Sequence, residues 1–316
     1  MATSPSIKTP SRVSGKRHPS AEPSTSASRT KLAPGESATD RARTRRLNGG
    51  MTGPLISAAD LLARLGEVEL FDLRWSLTDP THGVRAYEEG HLPGAVFVDL
   101  DRDLAAVEGS GRHPLPSVSG FRETLGRLGV GRESHVVVYD DVSGGVAARM
   151  WWMLRSIGHH EVKLLDGGLQ AWVGMGYPLV PGRVTPEPTT YPAFSEFTGV
   201  VRHDQLEGRV VADVRAPERY RGDVEPVDPK AGHIPGAVNY PIAGNLDNGM
   251  FLSGSELAER YREFPDDGVV ACGSGVNACQ AAIALVLAGR AMPDVYVGSF
   301  SDWSRRDLPV ATGPNP

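Results

Sequence analysis

The residues best suited to chemistry stand together in Val269-Val270-Ala271-Cys272-Gly273-Ser274-Gly275-Val276-Asn277-Ala278-Cys279. Small apolar residues ending in a Cys read as the C-terminal end of a buried parallel strand, and the apolar run from Gln280 to Gly289 reads as the helix that follows. A tight turn joins the two. Gly273 and Gly275 let the backbone take positive φ and turn its N–H groups inward, and the helix N-terminus points the same way, so the loop is a nest for negative charge. Such a nest favours the thiolate of Cys272, the nucleophilic form. The competing reading, a small buried core Cys, leaves the paired glycines without a purpose.

A Cys-based phosphatase uses the same junction but closes its loop with an Arg that forks onto phosphate. Here the sixth residue after Cys272 is Ala278, and no cation occurs before Gly289. Backbone donors and one hydroxyl suit a smaller guest, the outer sulfur of a persulfide. Cys272-Gly273-Ser274-Gly275-Val276 resembles the active loop of the rhodanese superfamily. Within it the loop is similar to that of 3-mercaptopyruvate sulfurtransferases, since thiosulfate sulfurtransferases carry basic residues after the Cys. The family usually has Thr where this chain has Asn277, which still offers a hydrogen-bond donor.

The elements that must position this loop occur twice. Leu70-Phe71-Asp72-Leu73-Arg74 returns as Val211-Ala212-Asp213-Val214-Arg215, and Gly90-His91-Leu92-Pro93-Gly94 returns as Gly232-His233-Ile234-Pro235-Gly236, at offsets of 141 and 142. Val136 to Asp140 answers the strand into Cys272 at an offset of 132, and Trp172 answers Trp303 at 131. Short, nearly all-apolar strands at Leu70–Leu73, Val136–Tyr139 and Val162–Leu165, with a helix over Ala147–Ile157, imply a parallel sheet covered on both faces. The second copy repeats the pattern at Val210–Val214, Gly268–Ala271, Ala281–Ala288 and Val295–Val297. With the resemblance, this predicts an α/β chain of two tandem rhodanese-like domains, each a parallel sheet flanked by helices. The expected boundaries are a basic disordered tail over 1–53, a first domain over 54–180, a linker over 181–197 and a second domain over 198–316. At 316 residues the chain is long enough for two separate cores.

Residues 1–50 hold ten Lys/Arg against three Asp/Glu, five Pro and no aromatic residue, so they cannot build a core; the rest of the chain has 23 Lys/Arg and 35 Asp/Glu, a net −12. The segment reads as a solvated tail, or as a translated upstream region with the start at Met51. Neither nucleic-acid binding nor a membrane partner is expected, and no apolar run reaches the length of a membrane span. Two Cys in 316 residues is the usage of a reducing compartment, so a cytoplasmic enzyme is expected. Cys279 reads as a small helix residue, with a resolving thiol for Cys272 as the alternative.

Comparing the copies, Asp140 stands where the second has Cys272, so the first domain is expected to be catalytically silent and to serve as the other wall of the cleft. Trp75 resembles an aromatic at the family's interdomain cleft; packing within the first domain is the alternative. The resemblance also implies a relay between Ser274 and a His at the position of His91, with Asp79 as the nearest acidic partner. Because His233 repeats His91 where no relay is expected, a shared structural job competes with that role. Arg219, in Arg215-Ala216-Pro217-Glu218-Arg219-Tyr220-Arg221-Gly222, matches the family's arginine that clamps the substrate anion. The second family arginine, nine residues on, is replaced by Asp228.

The expected catalytic set is Cys272, Ser274 and His91, with Arg219, Gly273, Gly275, Val276 and Asn277 binding substrate. The implied reaction moves sulfur from 3-mercaptopyruvate through a Cys272 persulfide to cyanide, a thiol or thioredoxin. It needs no metal or organic cofactor, and no metal-ligand cluster is spaced along the chain. Competing functions are a thiosulfate:cyanide sulfurtransferase and a non-enzymatic persulfide carrier.

Overall fold

The computed structural model describes residues 53–316; the tail expected over 1–53 lies outside the described residues, Gly53 apart. Two five-stranded sheets carry the fold. In chain order the first contains β1 (Leu55–Ile56), β2 (Glu69–Asp72), β3 (Val96–Phe97), β4 (Val136–Tyr139) and β5 (Val162–Leu165). The second contains β6 (Val200–Val201), β7 (Val211–Asp213), β8 (Val238–Asn239), β11 (Val269–Ala271) and β12 (Asp294–Tyr296), with the hairpin β9 (Leu246–Asp247) and β10 (Met250–Phe251) inserted between β8 and β11.

The strand orders, β1-β5-β4-β2-β3 and β6-β12-β11-β7-β8, are the same under the repeat. Every pairing within either sheet is parallel, with Phe71 opposite Val138 in one copy and Ala212 opposite Val270 in the other. Parallel strands need crossovers, and helices supply them on both faces. β4 and β11 sit at the centre of their sheets, so the two loops that follow, at Asp140 and Cys272, open at equivalent C-terminal strand ends, where ligands of open α/β sheets bind.

Each copy keeps a core cluster of its own on one face of its sheet, around Leu70, Val137 and Trp172 in the first and Val211, Val269 and Phe300 in the second, but a third and larger cluster is shared. Helix Ala148–Ser156 follows the Asp140 loop, helix Ala278–Leu287 follows the Cys272 loop, and the two pack on each other. Trp151, Trp152 and Met153 join Ala281, Ala282, Ile283 and Leu285 in one continuous cluster. A helix apolar all round must be covered all round, and the second domain's sheet covers only one side of Ala278–Leu287. The other side takes the first domain. The segment over 181–197 also packs, with Phe194 and Phe197 edge-on or tilted against Phe121.

Candidate active site

Cys272 follows directly on β11 with 3% of its surface exposed. Its sulfur accepts the Gly275 N–H at 3.1 Å. Its own N–H donates to the Ser299 hydroxyl at 3.0 Å, and that hydroxyl donates to the Tyr296 carbonyl at 2.8 Å. Ser299 reaches this position only with φ at +51°, in the left-handed region, where the repeat has Gly168 at +56°. A serine in that strained conformation beside Cys272 is a feature the sequence reading missed; the repeat offered the signal, a Ser aligned with a Gly.

The two loop glycines have different reasons. Gly275 lies at φ +76°, and a side chain there would overlap the carbonyl oxygen of Val297. Gly273 does not take positive φ, contrary to expectation. A Cβ there would stand 2.8 Å from Nη2 of Arg112, so a side chain would displace a guanidinium brought in by the first domain. Val276 is buried in the core, whereas Asn277 is exposed at the head of the helix with no side-chain hydrogen bond among the described residues.

The contact with Ser274 expected of His91 is made by a different histidine. His91 is buried against Tyr87, its Nδ1 2.9 Å from the Tyr87 carbonyl and its ring stacked on Tyr87 at 4.1 Å. His233 makes the same two contacts with Tyr220, at 2.8 Å and 3.8 Å. The duplicated His anchors a turn in each copy. Beside Ser274 stands His113, with Nδ1 2.9 Å from the Ser274 hydroxyl and Nε2 3.2 Å from Asp101. With the proton on Nε2, facing Asp101, Nδ1 accepts from Ser274. Trp75 donates to Asp101 at 2.8 Å and sets its ring edge-on to His113 at 5.4 Å. Asp79, the other acidic expectation, is instead tied to Arg85 and Thr81 on the surface. His113 was missed because Arg112-His113-Pro114 lies in a Gly/Ser-rich stretch outside both repeats, about 160 residues from the serine it meets.

Burial lowers the pKa of His113 to about 4, with Arg149 and Arg112 adding to the shift and Asp101 opposing it. At neutral pH the ring is therefore uncharged and able to accept a proton. Arg149, fully buried, ties the two sides of the cleft from below: Nη1 donates to the Gly275 carbonyl at 3.3 Å and Nη2 to the His113 carbonyl at 2.9 Å. Burial pushes its pKa down while the nearby sulfurs of Cys279 and Cys272 push it up. Cys279 donates to the Gly275 carbonyl at 3.3 Å, and burial drives its thiol up to about 12. That is the behaviour of a packed, protonated helix residue.

Arginines gather beside the Cys272 loop and pair with two acids. Arg219 donates to Glu225 at 2.7 and 3.2 Å and lies 3.3 Å from Asp228. Asp228 is buried and also pairs with Arg112, with Arg305 3.6 Å away.

The first copy shows what its loop can hold. Asp140 accepts the amides of Val142 at 3.0 Å, Gly144 at 2.8 Å, Val146 at 2.8 Å and Ala147 at 2.7 Å. Four donors ring one carboxylate while burial pushes its pKa up against them. The Cys272 loop is two residues shorter before its helix, and the amide that reaches the sulfur there is that of Gly275. Among the described residues no group of three or more His, Cys, Asp or Glu is arranged to hold a metal, and no helix is long and apolar enough to cross a membrane.

Residues 57–175 and 201–306 each match the rhodanese-like domain family. A probable 3-mercaptopyruvate sulfurtransferase of Pseudomonas aeruginosa is 43% identical over 280 residues, which is 82% of this chain and 98% of that protein. The human 3-mercaptopyruvate sulfurtransferase is 39% identical over 77% of this chain and 86% of its own. Among solved structures, the 3-mercaptopyruvate sulfurtransferase from Leishmania major superposes with a TM-score of 0.74 at 29% identity, over 80% of this chain and 74% of that one. Twin parallel sheets, a lone cysteine just after the central strand of the second, and these likenesses along both copies agree: the chain belongs to the rhodanese-like family and is a sulfurtransferase.

Proposed function

We propose that the enzyme takes sulfur from 3-mercaptopyruvate onto Cys272 and passes it to a thiol, thioredoxin among them, or to cyanide. The observation that carries the choice of donor is the chain Ser274–His113–Asp101 beside Cys272. Sulfur leaving thiosulfate releases sulfite, which needs no proton. Sulfur leaving 3-mercaptopyruvate releases an enolate, which does, and a relay is useful only there.

In this mechanism the Cys272 thiolate attacks the thiol sulfur of the donor. The new S–S bond forms as the C–S bond breaks, and the electron pair goes to the pyruvate enolate. The proton on the outer sulfur passes through Ser274 and His113 to the enolate carbon, leaving pyruvate and an anionic persulfide. The amide nest then holds the outer sulfur. The Asp140 loop shows that a loop at this strand end can ring an anion with amides, although it is two residues longer than the Cys272 loop. A carboxylate already fills the nest of the first domain, residues 54–180, which leaves it catalytically silent. It contributes Asp101, Arg112 and His113 to the nucleophile of the second, residues 198–316, across the 181–197 linker. Arg219 would hold the donor's carboxylate. Both Cys are free thiols, and the cycle requires them reduced, which suits the cytoplasm.

Mass spectrometry after mixing with 3-mercaptopyruvate should find one extra sulfur on the peptide containing Cys272, and none in Cys272→Ser. Full sulfur transfer to cyanide by that variant would refute the assignment. Faster loading from thiosulfate than from 3-mercaptopyruvate would overturn the choice of donor, and loading without turnover on small acceptors would leave a carrier.

A further inference from the structure

Arg149 stands at the head of helix Ala148–Ser156 with none of its surface exposed, and among the described residues no carboxylate pairs with it. We propose that its counter-ion is the reactive sulfur: the guanidinium of Arg149, supplied by the first domain, balances Cys272 as a thiolate before sulfur arrives and as an anionic persulfide afterwards. This rests on the reading of Cys272 as the sulfur-carrying residue and goes further, to the group that balances its charge.

Burial is the first observation. An arginine stays charged at any ordinary pH, and taking its guanidinium out of water is costly unless an anion as well as hydrogen bonds compensate. Nη1 and Nη2 donate to the carbonyls of Gly275 and His113, and Nε has no partner among the described residues. Neutral carbonyls satisfy donors but leave the charge unbalanced. The groups that favour that charge are the sulfurs of Cys279 and Cys272. Burial keeps Cys279 protonated, so the anion is left to Cys272.

The other charges around the sulfur are already matched. Arg112 and Arg219 pair with Asp228 and Glu225, and His113 is neutral with Asp101 on its far nitrogen. Arg149 is the cation of this group that lacks an acid.

The two copies also differ in how they treat an anion. Four amides ring Asp140, whereas the Cys272 sulfur takes one, from Gly275. The loop with fewer donors is the one that gains the cation. Arg149 is the second residue of its helix, as Cys279 is of helix Ala278–Leu287. The long side chain crosses to the loop of the other copy, while its short counterpart bonds only the Gly275 carbonyl of its own loop. Arg149 makes no hydrogen bond to Cys272, so it is a positioning residue that acts through its field and through Gly275, whose N–H faces the sulfur.

The test compares wild type, Arg149→Met and Arg149→Lys at neutral pH. The rate of Cys272 alkylation by iodoacetamide and the ultraviolet absorbance of its thiolate, with Cys272→Ser as the blank, are measured without any sulfur donor. Arg149→Met should lose the absorbance and be alkylated about 10- to 100-fold more slowly, the usual effect of removing an opposite charge beside a thiol. Arg149→Lys, which keeps the charge without the planar fork, should recover most of the loss. Arg149→Met reacting like wild type refutes the proposal. So does Arg149→Lys as slow as Arg149→Met, since the arginine would then hold the shape of the loop rather than its charge. Should Arg149→Met fail to fold, Cys272→Asp and Cys272→Asn decide, being alike in shape and different in charge. With Arg149 in place Cys272→Asp should have the higher urea midpoint, and a midpoint no higher than that of Cys272→Asn overturns the counter-ion. If Cys272 takes up no sulfur while these outcomes hold, the sulfur-transfer reading fails alone; if it takes up sulfur and Arg149→Met reacts like wild type, only the counter-ion fails.

Discussion

Replacing His113 by Asn tests the relay through an effect that is independent of catalysis. A histidine held neutral in the folded protein costs stability in acid. As pH falls the unfolded chain takes up the proton near 6.5, whereas the folded protein resists until about 4. The unfolded state then binds more protons, so stability is lost as pH drops through that window. Protonating the ring near 4 in the folded protein instead of near 6.5 costs about 3 kcal/mol in full, and about 2 kcal/mol at pH 5, where the unfolded ring is already protonated and the folded one is not. His113 is buried, so solvent screening takes little from these values. Urea unfolding of both proteins at pH 7.5 and pH 5.0 gives the comparison, because every other titrating group is common to the pair. The wild-type advantage should shrink, or reverse, by about 2 kcal/mol on going to pH 5. At neutral pH the variant should turn over 3-mercaptopyruvate about 10²- to 10⁴-fold more slowly, the usual worth of a positioned acid-base group. Loading from thiosulfate should suffer far less. A stability difference that does not change with pH would refute the buried neutral imidazole, and equal losses with both donors would refute the relay.

His91→Ala should remove the Tyr87 stack and cost about 2–4 kcal/mol in urea unfolding, while kcat per folded molecule stays within about twofold; a large loss of kcat would return His91 to the catalytic set. Ser299→Gly exchanges two effects of similar size. Relief of the left-handed strain gains about 1 kcal/mol and loss of the bond to the Cys272 amide costs about 1 kcal/mol, so unfolding should change little. Sulfur loading should nevertheless fall about tenfold as the loop loses its anchor, and Ser299→Ala, which keeps the strain, should be the less stable of the two.

Much of the candidate site's geometry was legible because it is local. A cysteine between small residues, a strand before it and an apolar helix after it are contiguous in sequence, and backbone sterics carry most of that geometry. The repeat extended the reach. Matching Asp72 to Asp213 and Val137 to Val269 implied two like sheets, and the strand orders agree position for position. Even the cluster shared by the two copies was latent in the Ala278–Leu287 helix, whose apolar circumference one sheet cannot cover.

The tertiary structure alone decided what crosses between the copies. Which histidine meets Ser274 depends on where an irregular stretch from Leu104 to Pro116 comes to rest, and no periodicity encodes that. The repeated His91 and His233 therefore drew the eye, although duplication signals a shared structural need. Asp228 read as a lost cation; in three dimensions it is the acid that binds Arg112 from the other domain. Neighbours in sequence are constrained by bonds and dihedral angles, whereas partners more than a hundred residues apart are selected by packing, which only the folded chain reveals.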